Sequence, residues 1–253
     1  MDEIIVGDCA EVLKTFAEGS IDLTVTSPPY DNLRNYNGYS FDFETIAKEL
    51  FRVTKDGGVV VWVVGDATVN GSETGTSFRQ ALYFKECGFN LHDTMIFHKF
   101  PAPRNGNRYE QHFEYMFVFS KGKPKAFNPI KEVKKQNIKK SGVGQRDING
   151  ILKPIHSINY DTNKVAGNVW FFPVGGGDKI ASQHPAIFPE KLAGDHILSW
   201  SNPGDVVLDP FSGSGTTLKM AKMYSRHYIG IEISEEYAEL ARKRLLATNV
   251  PLL

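Results

Sequence analysis

Short apolar runs alternate with helix-like patterns along most of this chain, and that alternation restricts it to a sheet covered by helices on both faces. Runs at residues 4–6, 23–26, 59–64, 206–208 and 228–231 read as strands. Between them, residues 43–53 place Ile46, Leu50 and Val53 on one helical face, and residues 189–200 do the same with Leu192, Ile197 and Trp200. Two further strands, 93–98 and 113–120, flank a polar loop with Pro101, Pro103 and Gly106 and read as an antiparallel pair at the edge of the sheet. Residues 121–182 break the rhythm: they are rich in Lys, Asn and Gly and read as an inserted lobe or long loop. A chain of 253 residues, 41% hydrophobic, is long enough for one large core or for a core with a smaller lobe.

Charge is balanced overall and uneven locally. Lys plus Arg equal Asp plus Glu at 29 each, yet residues 121–164 hold 11 basic side chains against 3 acidic ones. Such a block fits a phosphate-facing surface or a solvated loop. Cys9 and Cys87 are the only cysteines and the seven histidines show no HExxH spacing, so no disulfide framework or metal site is expected. No run approaches 18 apolar residues, and the start MDEIIVGD is acidic. The expectation is a soluble cytoplasmic protein without membrane contact.

Two stretches carry chemistry. In DVVLDPFSGSGTTLKMA, residues 205–221, a strand runs out into Asp209, a turn with Gly213 and Gly215 follows, and a helix starts near Thr216 or Thr217. Small residues there let a ligand reach the backbone, and the N–H groups of the helix start are available to bind it. A second strand ends in Glu232, an acid about 20 positions on, where it is placed to accept from two ribose hydroxyls. Without Gly-Lys-Ser/Thr in the turn, a triphosphate is disfavoured. The other stretch is TVTSPPYDNL, residues 24–33. Its prolines fix φ and hold Ser27 and Pro28 extended, with Tyr30 off the strand end. Alone, it also serves as a rigid strand exit.

Asp209-Pro210-Phe211-Ser212-Gly213-Ser214-Gly215-Thr216-Thr217 together with Ser27-Pro28-Pro29-Tyr30 resembles the two signature motifs of the amino-methylating DNA methyltransferases. The likeness extends to Gly7-Asp8, to residues 113–122 and to residues 184–192, and the catalytic motif precedes the cofactor motif as in the permuted β group. The resemblance implies an α/β, circularly permuted Rossmann-like, S-adenosylmethionine-dependent methyltransferase fold with an inserted target-recognition region. Residues 1–120 would be the catalytic half, 121–182 the target-recognition region and 183–253 the cofactor half. It implies neighbouring termini, with Asp8 near the cofactor's adenine, Glu232 at its ribose, and Asp209, Pro210, Phe211, Ser212, Gly213, Gly215 and Thr216 beside its methionine portion. Double-stranded DNA is the implied partner, and the family also admits a cognate restriction endonuclease. Recognition sequence and oligomeric state are not written in these residues.

For catalysis the resemblance assigns Ser27, Pro28, Pro29 and Tyr30. A base amino group in a duplex cannot reach a sulfonium methyl, so the nucleotide must leave the stack. Tyr30 would stack on it, and the Ser27 hydroxyl and Pro28 carbonyl would accept its amino hydrogens and aim the nitrogen lone pair. Residues 31–39 suit a loop that closes over flipped DNA or a plain surface loop. In the family Ser-Pro-Pro-Tyr goes with cytosine N4 and Asp-Pro-Pro-Tyr with adenine N6, so Ser27 points to cytosine. Adenine N6, an RNA or protein-amide substrate, and an inactive nucleic-acid-binding relative are the alternatives.

Overall fold

The computed structural model describes residues 2–29, 41–100, 108–133, 145–146, 149, 151–153, 163–173 and 189–249. In chain order the elements are β1 (Glu3–Val6), α1 (Cys9–Lys14), β2 (Ile21–Thr26), α2 (Phe43–Val53), β3 (Thr54–Val64), β4 (Thr68–Val69), β5 (Ser72–Glu73), α3 (Thr76–Glu86), β6 (Asn90–Phe100) and β7 (Phe113–Ser120). There follow β8 (Lys131–Val133), β9 (Gln145–Arg146), β10 (Leu152–Lys153), β11 (Asn163–Val165), β12 (Val169–Pro173), α4 (Glu190–Trp200), β13 (Val206–Asp209), α5 (Thr216–Met223), β14 (His227–Glu232) and α6 (Glu235–Leu246). Among the described residues, no helix is long and apolar enough to cross a membrane.

Eight strands form one sheet in the order β1-β14-β13-β2-β3-β7-β6-β12. The first five are mutually parallel, β7 is antiparallel to both neighbours, and β12 is parallel to β6. β3 shows why its run is apolar without alternation. Side chains of a strand point to opposite faces in turn, and both faces here are covered. Val60, Trp62 and Val64 enter one core, against Ile46, Leu50 and Phe84. Val59, Val61 and Val63 enter the other, against Leu192, Ile197 and Trp200.

Helices α1, α2 and α6 begin where a polar side chain accepts from a free N–H group of the first turn. Asp8 caps α1, its carboxylate accepting the Ala10 N–H at 2.8 Å. Asp42 caps α2 through Thr45 N–H, and Ser234 caps α6 through Tyr237 N–H. In α2 the residues Ile46, Leu50 and Val53 are buried, as their spacing predicts. The expected neighbouring of the two chain ends is observed: β14 lies beside β1 with Val6 opposite Glu232, and the Gly7 N–H donates to the Glu232 carbonyl at 3.0 Å.

One expectation is corrected. β6 and β7 pair antiparallel, but they are not the edge, because β12 lies outside β6. Val-Trp-Phe-Phe-Pro is a short run inside a Lys- and Asn-rich stretch, and its outward Phe171 is 71% exposed, so its local pattern is weak. Its place is set by Phe172, which is buried against Phe97 with ring centroids 5.9 Å apart.

Pro129–Gly167 forms a separate compact unit. Within it β8 pairs antiparallel with β11, Glu132 facing Lys164, and β9 pairs antiparallel with β10.

Candidate active site

Ligands of open parallel sheets gather at the carboxyl ends of the strands, where loops leave and helix N-termini point in. Gly7 and Asp8 stand there after β1, Glu232 ends β14, Asp209 ends β13, and Ser27, Pro28 and Pro29 follow β2. These four strands are consecutive neighbours, so the sheet brings residues from both ends of the chain to one edge.

The turn after β13 is built by backbone geometry. Gly213 and Gly215 have φ of +48° and +75°, a region that favours glycine. A Cβ on Gly215 would lie 2.9 Å from that of Ala241, so glycine is also required for the close approach of α6. The Ser212 N–H donates to the Ile231 carbonyl at 2.9 Å and the Gly215 N–H to the Ser212 carbonyl at 2.7 Å, which folds the turn back over β14.

Two carboxylates line this turn. Glu232 accepts the Gly213 N–H at 2.8 Å on Oε2 and the Ser234 N–H at 3.0 Å on Oε1. Burial pushes its carboxyl above the ordinary range, opposed by those N–H groups. Asp209 is 5% exposed and accepts on one oxygen from the Thr26 hydroxyl at 2.7 Å and the Phe211 N–H at 3.1 Å. Burial raises its carboxyl to about 6, with the Thr26 hydroxyl and the Phe211 N–H pulling the other way. Among the described residues, these bonds come from a hydroxyl and backbone N–H groups rather than from Lys or Arg, and each carboxylate keeps acceptor capacity beyond them.

Ser27 and Pro29 are half-buried and Pro28 is buried. Tyr30 and the loop after it lie outside the described residues, as do residues 184–188 of the 184–192 segment. Phe211 faces an aromatic wall, edge-on to Phe41 at 5.6 Å and to Trp62 at 6.2 Å between centroids.

A family model for the N6/N4 DNA methylases matches residues 21–243. The chain belongs to the N6/N4 DNA methylase family. It is 60% identical over 252 residues to the orphan methyltransferase M.BamHII of Bacillus amyloliquefaciens, covering 95% of this chain and 90% of the relative. Among solved structures, the M1.HpyAVI complex with S-adenosylmethionine superposes with a TM-score of 0.67 at 26% identity, covering 97% of this chain and 99% of that one. The PvuII DNA methyltransferase, described as cytosine-N4-specific, gives a TM-score of 0.72 at 24% identity over 99% of this chain and 89% of its own, a likeness of fold. This methylase therefore has the Rossmann-like methyltransferase fold, and its Ser27 motif precedes its Asp209 motif in the order of the β group.

The donor set of the methylase suits a nucleoside bearing positive charge. Buried carboxylates with no paired cation among the described residues favour a ligand that brings one, and Glu232, with one N–H already on each oxygen, retains lone pairs suited to a diol.

Thr26 and Thr217 lie in the two motif stretches but carry no role in the sequence reading, and Arg244 is not singled out there at all. Thr26 and Thr217 are buried, and the Thr217 hydroxyl donates to the Val25 carbonyl at 3.1 Å. Arg244 is 1% exposed and donates to the Ser214 carbonyl at 3.0 Å, the Thr216 hydroxyl at 2.8 Å and Glu190 at 2.6 Å. Glu190 also accepts from Lys219 at 2.8 Å. A usable signal existed: Arg244 falls three residues after Ala241 and six after Ala238, on the small-residue stripe that α6 buries.

Proposed function

We propose that this methylase transfers a methyl group from S-adenosylmethionine to the exocyclic N4 of cytosine in double-stranded DNA. The adjacency of β2 and β13, with Ser27-Pro28-Pro29 and the Asp209 turn at its end, supports methyl transfer, and serine rather than aspartate at position 27 favours cytosine N4 over adenine N6 through the family resemblance. When bound, the cofactor supplies an electrophilic methyl on a cationic sulfur. Glu232 would accept from its ribose hydroxyls and Asp8 from its adenine amino group. The buried Asp209 carboxylate balances its positive charge, and Pro210, Phe211, Ser212, Gly213, Gly215 and Thr216 shape the wall beside its methionine portion.

Ser27 and Pro28 act on the acceptor. The amino nitrogen of cytosine is a poor nucleophile because its lone pair is delocalised into the ring. The Ser27 hydroxyl and the Pro28 carbonyl accept its two hydrogens, which favours a pyramidal nitrogen and aims the lone pair. Pro28 and Pro29 contribute no N–H to compete for those acceptors. Tyr30 stacks on the extruded base, an interaction of roughly 1–3 kcal/mol in single-strand sites. A neutral serine is a poor proton sink, so the proton leaves to water after transfer.

Residues 121–182 serve as the target-recognition region in this reading, with the basic unit Pro129–Gly167 against phosphates. No endonuclease is needed for the chemistry, and the 60% identical relative is itself called an orphan methyltransferase. Digestion of methylated DNA to nucleosides and mass spectrometry tests the assignment. N4-methylcytosine is expected; N6-methyladenine alone would move the target to adenine, and no methylated nucleoside would mark an inactive binding relative.

A further inference from the structure

The seam between the two halves of the site is narrow. β2 and β13 share backbone register only at Leu23 with Val207 and Thr24 with Leu208. Above the last rung, side chains take over. The Thr26 hydroxyl donates to Asp209 at 2.7 Å, linking residues 183 apart in sequence, and the Thr217 hydroxyl donates to the Val25 carbonyl at 3.1 Å. Thr26 is wholly buried and its hydroxyl bonds a carboxylate, the stronger class of hydrogen bond. Ser27 follows it directly, and Phe211 begins the turn that shares the same Asp209 oxygen.

We propose that Thr26 is a positioning residue for methyl transfer. Its hydroxyl holds the carboxyl end of β2 against Asp209 and so fixes the spacing between the acceptor-binding Ser27 and the cofactor turn. This rests on the proposed roles of Ser27 and Asp209. Thr26 touches neither reactant; it acts through Asp209 on one side and through the peptide bond to Ser27 on the other. Methyl transfer is sensitive to such spacing, because displacement of about 1 Å between reacting groups can cost about a hundredfold in rate.

The test compares wild type, Thr26→Val, which keeps the shape and loses the donor, and Thr26→Ser, which keeps the donor. Single-turnover transfer of radiolabelled methyl to DNA gives the rate, and calorimetry gives the dissociation constant for S-adenosylmethionine. Thr26→Val should lower the rate roughly 10- to 100-fold while cofactor affinity changes less than about threefold. Thr26→Ser should return the rate to within about threefold of wild type. A Thr26→Val rate equal to wild type overturns the proposal, as does a Thr26→Ser rate no better than that of Thr26→Val. Affinity falling in step with the rate overturns it too. If Thr26→Val does not fold, Thr26→Ala is measured in the same way, and a Thr26→Ala rate equal to that of Thr26→Ser has the same consequence. A wild type that neither binds the cofactor nor methylates DNA would instead defeat the proposed function itself.

Discussion

Glu232 Oε2 accepts the Gly213 N–H at 2.8 Å, so the acid that ends β14 is tied to the glycine turn after β13. The Ser234 N–H donates to its other oxygen at 3.0 Å, so both carboxylate oxygens are fixed by backbone donors. Pre-formed acceptors of this kind bind a diol without a further ordering cost. Glu232→Ala should weaken S-adenosylmethionine binding about tenfold or more, the scale of one or two lost charge-assisted hydrogen bonds. Calorimetry measures it, with circular dichroism to show that the fold persists. Unchanged affinity would refute the ribose assignment.

Asp209 gives the protein a pH signature. Its carboxyl stands at about 6 in the fold against an ordinary 3.8, chiefly through burial. Between those values the folded state holds a proton that the unfolded chain has released. Stability therefore falls as pH rises through this window, and the loss is complete above it. At 1.36 kcal/mol per unit, the ionised carboxylate costs about 3 kcal/mol. Asp209→Asn, which retains an acceptor for Thr26 and Phe211, should melt higher than wild type at pH 8. The gain should shrink toward zero at pH 4, while cofactor binding is weakened. Equal melting shifts at the two pH values would count against this.

Arg244 should matter more than its position on a terminal helix implies. It is buried, and it joins α6 to the glycine turn and to Glu190 at the start of α4. Arg244→Leu leaves the Ser214 carbonyl and the Thr216 hydroxyl without this donor, and Glu190 with Lys219. The loss should be about 1–3 kcal/mol, the usual cost of leaving a buried acceptor unsatisfied, because Glu190 is partly exposed and keeps its bond to Lys219. Thermal melting reads it directly, and a wild-type midpoint would show that the network carries no stability.

The basic unit is expected to meet phosphates. Lys134, Lys135, Lys139 and Lys140 lie outside the described residues, within a block of 11 basic and 3 acidic side chains. If roughly four to six charges neutralise phosphates, the log–log salt slope of DNA binding should be about −4 to −5. Replacing the four lysines by alanine should make it shallower, and a slope that does not move would assign them to a solvated surface.

Much of the site was legible in the chain because its determinants are local. A strand running out into Asp209, positive-φ glycines and a helix beginning at Thr216 are set by neighbours a few residues away, and the structure has each of them. The stripe Ile46, Leu50 and Val53 follows from helical period alone. What the tertiary structure decided involves partners far apart in sequence. Parallel strands are joined by long crossovers, so no local pattern names a strand's neighbour; β12 settled outside β6 because Phe172 fills a core site beside Phe97. Thr26 looks like any strand threonine until the sheet sets it beside Asp209, where a buried carboxylate needs a donor. The helical period puts Arg244 on the buried stripe of α6, but its partners, the Ser214 carbonyl and the Thr216 hydroxyl, are fixed only by the packing of α6 over the glycine turn.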